Sequence, residues 1–355
     1  MAEAGGHVGD RSSAGVTAVA AGSQRMGSQR MGSQRMGSQR LAVGSGASQK
    51  LGSQRMSSVR MRKMTETVLK EPVLAMCEFG HGKWEVDVVA WPHNAIRREL
   101  QDMYYLVASM QKRVLDLTHE DIEDFYDWFS IFEMFVQWYF QYEEKLLMPW
   151  VEAATSLNGA LEERRRIALK ESLVGRLDDI FSCQDRFANL PAGEVLPALV
   201  VAVDKFSPPL LEYMGEQEKS LPPALLQVYS AGDKDRYDER VFEFVRNSED
   251  NHLIMHLLLR PVKLSQVKVD LRRKYLGVPG FLAKIKFKRT YELSKKDFRE
   301  QHVDIVKQFY KRWGTATADA VLEEERLQES GGPMMSAKGF PGSGRIGLPP
   351  PKNPA

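Results

Sequence analysis

The stretch QWYFQYEEKLLMPWVE, Gln137 to Glu152, is strongly apolar yet carries a glutamate pair. On a helix Glu143 falls one turn after Tyr139. It lies on the stripe that also holds Phe125, Trp128, Phe132, Val136 and Leu147. A carboxylate on a core-facing stripe must be compensated, because burying an uncompensated charge is costly. A metal ion is one compensation. Imidazole and carboxylate at i and i+4 lie on one helix face and offer nitrogen and oxygen to the same ion. Here the position one turn before Glu143 is Tyr139 and not histidine. The frame recurs. Tyr139–Pro149 reads YFQYEEKLLMP and Tyr213–Pro223 reads YMGEQEKSLPP. Both are a tyrosine, Glu-Lys five residues on, then leucine and proline in alternation. In the second copy Gln217 takes the place of Glu143.

The elements that would position these residues are helices. From Trp84 the apolar residues Val86, Val89, Ile96, Leu100, Met103, Val107 and Met110 recur at helical spacing, and His93 falls on the same stripe. Thr118, followed by His119-Glu120-Asp121, predicts a cap in which Thr118 reaches Asp121 and acids fill the first turn. The second helix then runs to Pro149 or just beyond. A third should start near Asn158-Gly159 and turn Leu173, Leu177, Ile180, Phe181 and Phe187 inward. A fourth should run from Pro191 to about Ser230, with a kink at Pro208-Pro209. Long amphipathic helices joined by short connections predict an all-α, antiparallel four-helix bundle over residues 84–230, preceded by a lead-in over 65–83. A fifth helix over about 236–259 and further basic helical pieces to Trp313 predict an extension over 231–314 packed outside it.

The two tyrosine–glutamate stretches resemble the ligand helices of hemerythrin-like (HHE) domains. The family pattern there is His-x-x-x-Glu-Glu followed by a Leu-aromatic-Pro close. Trp91–Leu100, WPHNAIRREL, resembles that family's first helix. The resemblance covers about residues 84–230. It implies a four-helix bundle enclosing a di-iron site of several histidines and bridging carboxylates, which binds oxygen, nitric oxide or iron in different members. By the resemblance His93 matches the first-helix histidine and Glu143 the second-helix carboxylate. Tyr139 and Tyr213 stand at histidine positions and Gln217 at a carboxylate position. The third helix, followed backwards, brings Lys170 and Arg166 to the inner face. No histidine occurs between Glu120 and Asn251, so helices two to four supply no imidazole. The expectation is a degenerate site with no cofactor, in a non-enzymatic scaffold or sensor. The alternative is a remodelled mononuclear iron site of His93, Glu143 and tyrosinates from Tyr139 or Tyr213.

His252 and His256 form another i,i+4 pair, in NHLIMHLLL. They are a secondary metal candidate, weighed against two half-buried imidazoles on a packing helix. His119 reads as a surface residue at a helix start, and His81 sits in the loop EFGHGKW before the bundle. The sequence carries no Gly-rich phosphate loop, nucleophile elbow or Cys-His arrangement.

Charge is segregated. The formal net charge is only +2, but residues 1–64 hold 10 Lys/Arg against 2 Asp/Glu, residues 65–257 hold 19 against 35, and residues 258–314 hold 16 against 5. Basic residues alternate with apolar ones in FLAKIKFKRTY, Phe281–Tyr291. That pattern is read either as a basic extension folded onto the acidic middle or as a module for an anionic membrane surface. Nucleic acid is the less supported polyanion, since no nucleic-acid motif accompanies the charge. GSQRM repeats at Gly22, Gly27 and Gly32, becomes GSQRL at Gly37 and returns at Gly52. A period of five fits neither helix nor strand, so residues 1–64 and the Gly/Pro-rich tail over 315–355 are expected to be disordered. The Ser/Arg-rich N-terminus loosely resembles a transit peptide. The two cysteines make neither a disulfide framework nor a zinc spacing, which predicts a reducing, intracellular setting, cytoplasmic or after organellar import. No apolar run reaches the length of a spanning helix, so no transmembrane segment is expected.

Overall fold

The computed structural model describes residues 68–157 and 159–313, and all of its regular elements there are helical. The repeat over 1–64 and the tail over 315–355 lie outside the described residues, as do the first positions of the lead-in. Among the described residues no helix is long and apolar enough to cross a membrane.

Helix α1 spans Trp84–Lys112 and buries Val89, Ile96, Leu100, Met103, Val107 and Met110 completely. Helix α2 spans His119–Tyr142. Its start follows from local chemistry. The Thr118 hydroxyl accepts from the Asp121 amide at 3.1 Å, and the Asp121 carboxylate accepts from the Thr118 amide at 2.9 Å, satisfying two donors left over by the first turn. Five fully buried aromatics, Phe125, Trp128, Phe129, Phe132 and Phe135, fill its inner face. Each contributes roughly 1.5–3 kcal/mol by burial, enough together to offset a polar group or two on the same stripe.

The helix continues just beyond Pro149, to Glu152. Glu143–Leu147 forms a π-helical turn, and α3 (Met148–Glu152) carries on from it. Proline has no amide hydrogen to give to the carbonyl four residues back, so the hydrogen-bond ladder reorganises ahead of Pro149. A 3₁₀ turn at Gly159–Leu161 precedes α4, Glu163–Asn189. That is a few residues later than Asn158-Gly159 suggested, because the glycine takes φ +67°, outside the helical region. Helix α5 runs unbroken from Ala192 to Val228, through Pro208 and Pro209.

The fifth helix divides in two. Helix α6 is Ala231–Asn247 and α7 is Asn251–Leu259. At the break Ser248 donates its hydroxyl to the Phe244 carbonyl, and the Asn251 amide caps the Arg246 carbonyl. These side chains take over carbonyls that a continuous helix would have used. Helix α8 (Ser265–Tyr275) and α9 (Phe281–Phe298) follow. A second π turn, Arg299–Val303, leads to α10, Asp304–Trp313.

Each of the four long helices has two long neighbours. Helix α1 packs on α5 and α2, α2 on α4, and α4 on α5. The later helices lie against this group: α7 and α10 reach α1, α9 packs on α7, and the second π turn reaches α2. The described part of the lead-in has no regular secondary structure and is tied down by exchange between Cys77 and Asn94. The Cys77 amide donates to the Asn94 carbonyl oxygen at 2.8 Å, and the Asn94 amide returns a bond to the Cys77 carbonyl at 2.9 Å.

Candidate functional site

One cluster draws a side chain from each of the four long helices. His93 comes from α1, Tyr139 from α2, and Glu143 from the π turn that continues α2. Lys170 comes from α4, and Gln217 and Glu218 come from α5. His93, Tyr139, Glu143 and Gln217 are completely buried. Helical spacing produces the convergence. Tyr139 and Glu143 are one turn apart, as are Tyr213 and Gln217, and His93 and Arg97.

The hydrogen bonds are dense. His93 Nε2 is 2.8 Å from the Tyr139 hydroxyl, and His93 Nδ1 is 2.7 Å from Glu218 Oε1. The Tyr139 hydroxyl lies 3.0 Å from Glu143 Oε1 and 3.3 Å from Gln217 Oε1. It has one proton, so His93 Nε2, Glu143 and Gln217 compete to accept it. The Gln217 amide also donates to Glu143 Oε1. On the other oxygen, Lys170 Nζ sits 3.2 Å from Glu143 Oε2. Arg97 grips Glu218 with both arms, NH2 to Oε2 at 2.9 Å and NH1 to Oε1 at 2.7 Å. Two carboxylates thus face two cations, and the fixed charges cancel inside the cluster.

Burial and then the Glu143 charge hold the Tyr139 hydroxyl far above its usual pKa. The Tyr213 hydroxyl is raised the same way, by burial first and Glu143 second. Both side chains therefore act as neutral phenols in this setting. The Tyr213 hydroxyl has no hydrogen-bond partner among the described residues. For Glu218, burial alone would raise the carboxyl, but hydrogen bonds from His93 and Arg97 outweigh it and bring the pKa down to about 2.

The five positions singled out from sequence, His93, Tyr139, Glu143, Tyr213 and Gln217, therefore meet in one place, with Tyr213 beside Glu143. Only one member of the glutamate pair turns inward, since Glu144 is exposed. Sequence reasoning missed Arg97 and Glu218. The available signals were the His-x-x-x-Arg spacing on α1 and the second acid of the YMGEQEK frame. Lys170 and Arg166 were both expected on the inner face; Lys170 reaches Glu143, and Arg166, which is buried, caps the Leu161 carbonyl and pairs with Glu152 at 2.7 Å. His81 is exposed in its loop, and His119 pairs at the surface with Glu123.

His252 and His256 do not share a target. His252 Nδ1 is 2.7 Å from the Tyr275 hydroxyl, and His256 Nε2 is 3.1 Å from the Ser294 hydroxyl. His256 lies against the rings of Tyr291 and Phe298, and burial brings its pKa down to about 3. Among the described residues no three His, Cys, Asp or Glu side chains are grouped to hold a metal ion.

A second buried network has no counterpart in the sequence reading. Glu99 and Asp102, on α1, face Arg260 at 2.8 and 2.5 Å. His302, in the second π turn, lies 2.6 Å from Glu99 and stacks on Trp128. Burial alone would raise the Glu99 carboxyl, but Arg260 and His302 overcome it and set the pKa at about 2. Arg312 adds a link from α10 to Asp121. These contacts fasten the C-terminal helices to α1 and α2.

Comparison with protein-family models, with curated proteins and with solved structures finds no match to this chain.

Proposed function

We propose that the four long helices form an antiparallel hemerythrin-like four-helix bundle whose interior has exchanged a metal centre for an ion-paired polar cluster. The protein then acts as a non-enzymatic scaffold or sensor. The observation that carries this reading is Lys170, whose ammonium lies 3.2 Å from Glu143, the one fully buried carboxylate of the cluster.

The donor set does not fit a carboxylate-bridged di-iron pair. It contains one imidazole, and both of that ring's nitrogens already have partners. Glu143 is occupied on Oε1 by Tyr139 and Gln217 and on Oε2 by Lys170. A divalent ion taking this place would sit against an ammonium that repels it. The two built-in cations supply the charge that a metal would have brought, and the cluster pairs its polar groups internally except at the Tyr213 hydroxyl and Glu143 Oε2, the latter held by Lys170 as an ion pair without a hydrogen bond.

Elemental analysis of the purified full-length chain tests this reading, with His93→Ala as control. The expected result is no stoichiometric iron or zinc in either protein. Metal near one per chain in the wild type, lost in His93→Ala, would establish the mononuclear site and overturn the proposal.

A further inference from the structure

Helix α9 is seated by one face only. Phe287, Tyr291 and Phe298 point inward, where Tyr291 and Phe298 meet His256 and Phe287 meets His252 and Tyr275. At 3.6 residues per turn, Phe281, Leu282, Ile285, Arg289 and Leu293 fall on the opposite side. Four of these are large apolar residues left in solvent: Phe281 is 78% exposed, Leu282 79%, Ile285 51% and Leu293 59%. Scattered exposed apolar residues are ordinary, but four on one face of one helix are not.

The flanks of this face are cationic. Lys284 and Lys288 border it on one side and Lys286 on the other, with Arg289 inside it. None of these four makes an ion pair among the described residues, while Glu292, the acid on that face, is already paired with Arg272. The helix begins directly after Gly280, at φ +86°. Apolar side chains with cations on both flanks match the cross-section of an anionic lipid surface. Rings and aliphatic chains enter the acyl boundary, and ammonium groups stay at the phosphates. No described helix is built to cross the bilayer, so the mode is lying on it.

We propose that the outward face of α9, built on Phe281, Leu282, Ile285 and Leu293 with Lys284, Lys286, Lys288 and Arg289 around it, docks the protein on anionic phospholipid membranes. This goes beyond the scaffold reading and stands or falls separately from it, because α9 contributes nothing to the His93–Glu143 cluster.

The test is co-sedimentation of the full-length chain with phosphatidylcholine vesicles with and without phosphatidylserine. Three proteins are compared: wild type, Phe281→Ser/Ile285→Ser and Lys284→Glu/Lys288→Glu. All four sites are exposed, and circular dichroism checks that the helices are retained. Wild type should bind the anionic vesicles, bind neutral ones weakly, and release as salt is raised. Each double variant should lose about tenfold or more in apparent affinity. Binding that is absent, indifferent to phosphatidylserine, or equal in all three proteins overturns the proposal. So does a result in which the substitutions abolish self-association or RNA retention and leave vesicle binding unchanged.

Discussion

Helix α1 carries two buried polar networks within three turns of each other, and they are built differently. The inner one, around His93 and Arg97, joins the four long helices. It is mixed, with neutral tyrosine, glutamine and histidine between two ion pairs. The outer one, around Glu99 and Asp102, joins α1 to Arg260 and His302. It is almost purely ionic: two carboxylates share the Arg260 guanidinium, and Arg98 adds a longer contact to Asp102 at 3.4 Å. The difference teaches where each network is vulnerable. In the inner network most groups have several partners, so single losses are partly absorbed. In the outer network Arg260 faces both carboxylates, so its removal weakens the compensation of two buried charges at once.

The comparison is broken most severely at Arg260. Arg260→Met takes away the cation that Glu99 and Asp102 share and leaves Asp102 only the longer contact to Arg98, at 3.4 Å, which costs about 3 kcal/mol or more for an interrupted buried pair. Urea unfolding should show that loss, and limited proteolysis should cut first within residues 258–313. A midpoint equal to wild type would mean that the outer network does not hold the C-terminal helices.

Lys170→Met is the matching change in the inner network. It strands Glu143, and a cost of about 3 kcal/mol is expected. Adding Glu143→Gln should restore most of it, since a neutral pair leaves no charge behind.

Acid should separate the two regions from α7. Glu99 and Glu218 both have folded pKa values lowered to about 2. Their contribution is complete above the ordinary carboxylate range and is lost as pH falls from about 4.5 towards 2. His256 is also lowered, to about 3. Between about pH 6.5 and 3 the unfolded chain binds the proton that the folded chain refuses, so stability is lost as pH falls through that window. The gap in thermal midpoint between wild type and His256→Gln should change between about pH 6.5 and 3, whereas the gap between wild type and Glu218→Gln should be constant above about pH 4.5 and close below it.

The smallest effects contrast the two tyrosines. Tyr139→Phe removes a hydroxyl with three neighbours and should cost about 1–3 kcal/mol. Tyr213→Phe removes a hydroxyl without a partner and should be neutral or slightly stabilising. Equal losses would mean that the Tyr213 hydroxyl is satisfied in solution.

The inner network was legible in the sequence and the outer one was not, for reasons of distance along the chain. Tyr139–Glu143 and Tyr213–Gln217 are one helical turn apart, and their repeated frame shows that they belong together. Lys170 could be read only as a residue where a ligand was expected. Glu218 was overlooked because the register assigns the carboxylate position to Gln217, while the structure uses its neighbour. Arg260 and His302 lie 161 and 203 residues from Glu99, and no local periodicity links them. The two π turns were equally silent. They reset the helical register that sequence patterns depend on, and one of them carries Glu143 while the other carries His302.

The central claim is that a cation of the protein itself, Lys170, holds Glu143 in place of a metal. The most direct measurement is a Glu143–Lys170 double-mutant cycle by urea unfolding, run once with a chelator and once with added ferrous iron. The account predicts a coupling of about 2 kcal/mol that is the same in both conditions. A coupling near zero in chelator, together with iron stabilising the wild type but not Glu143→Gln, would contradict it.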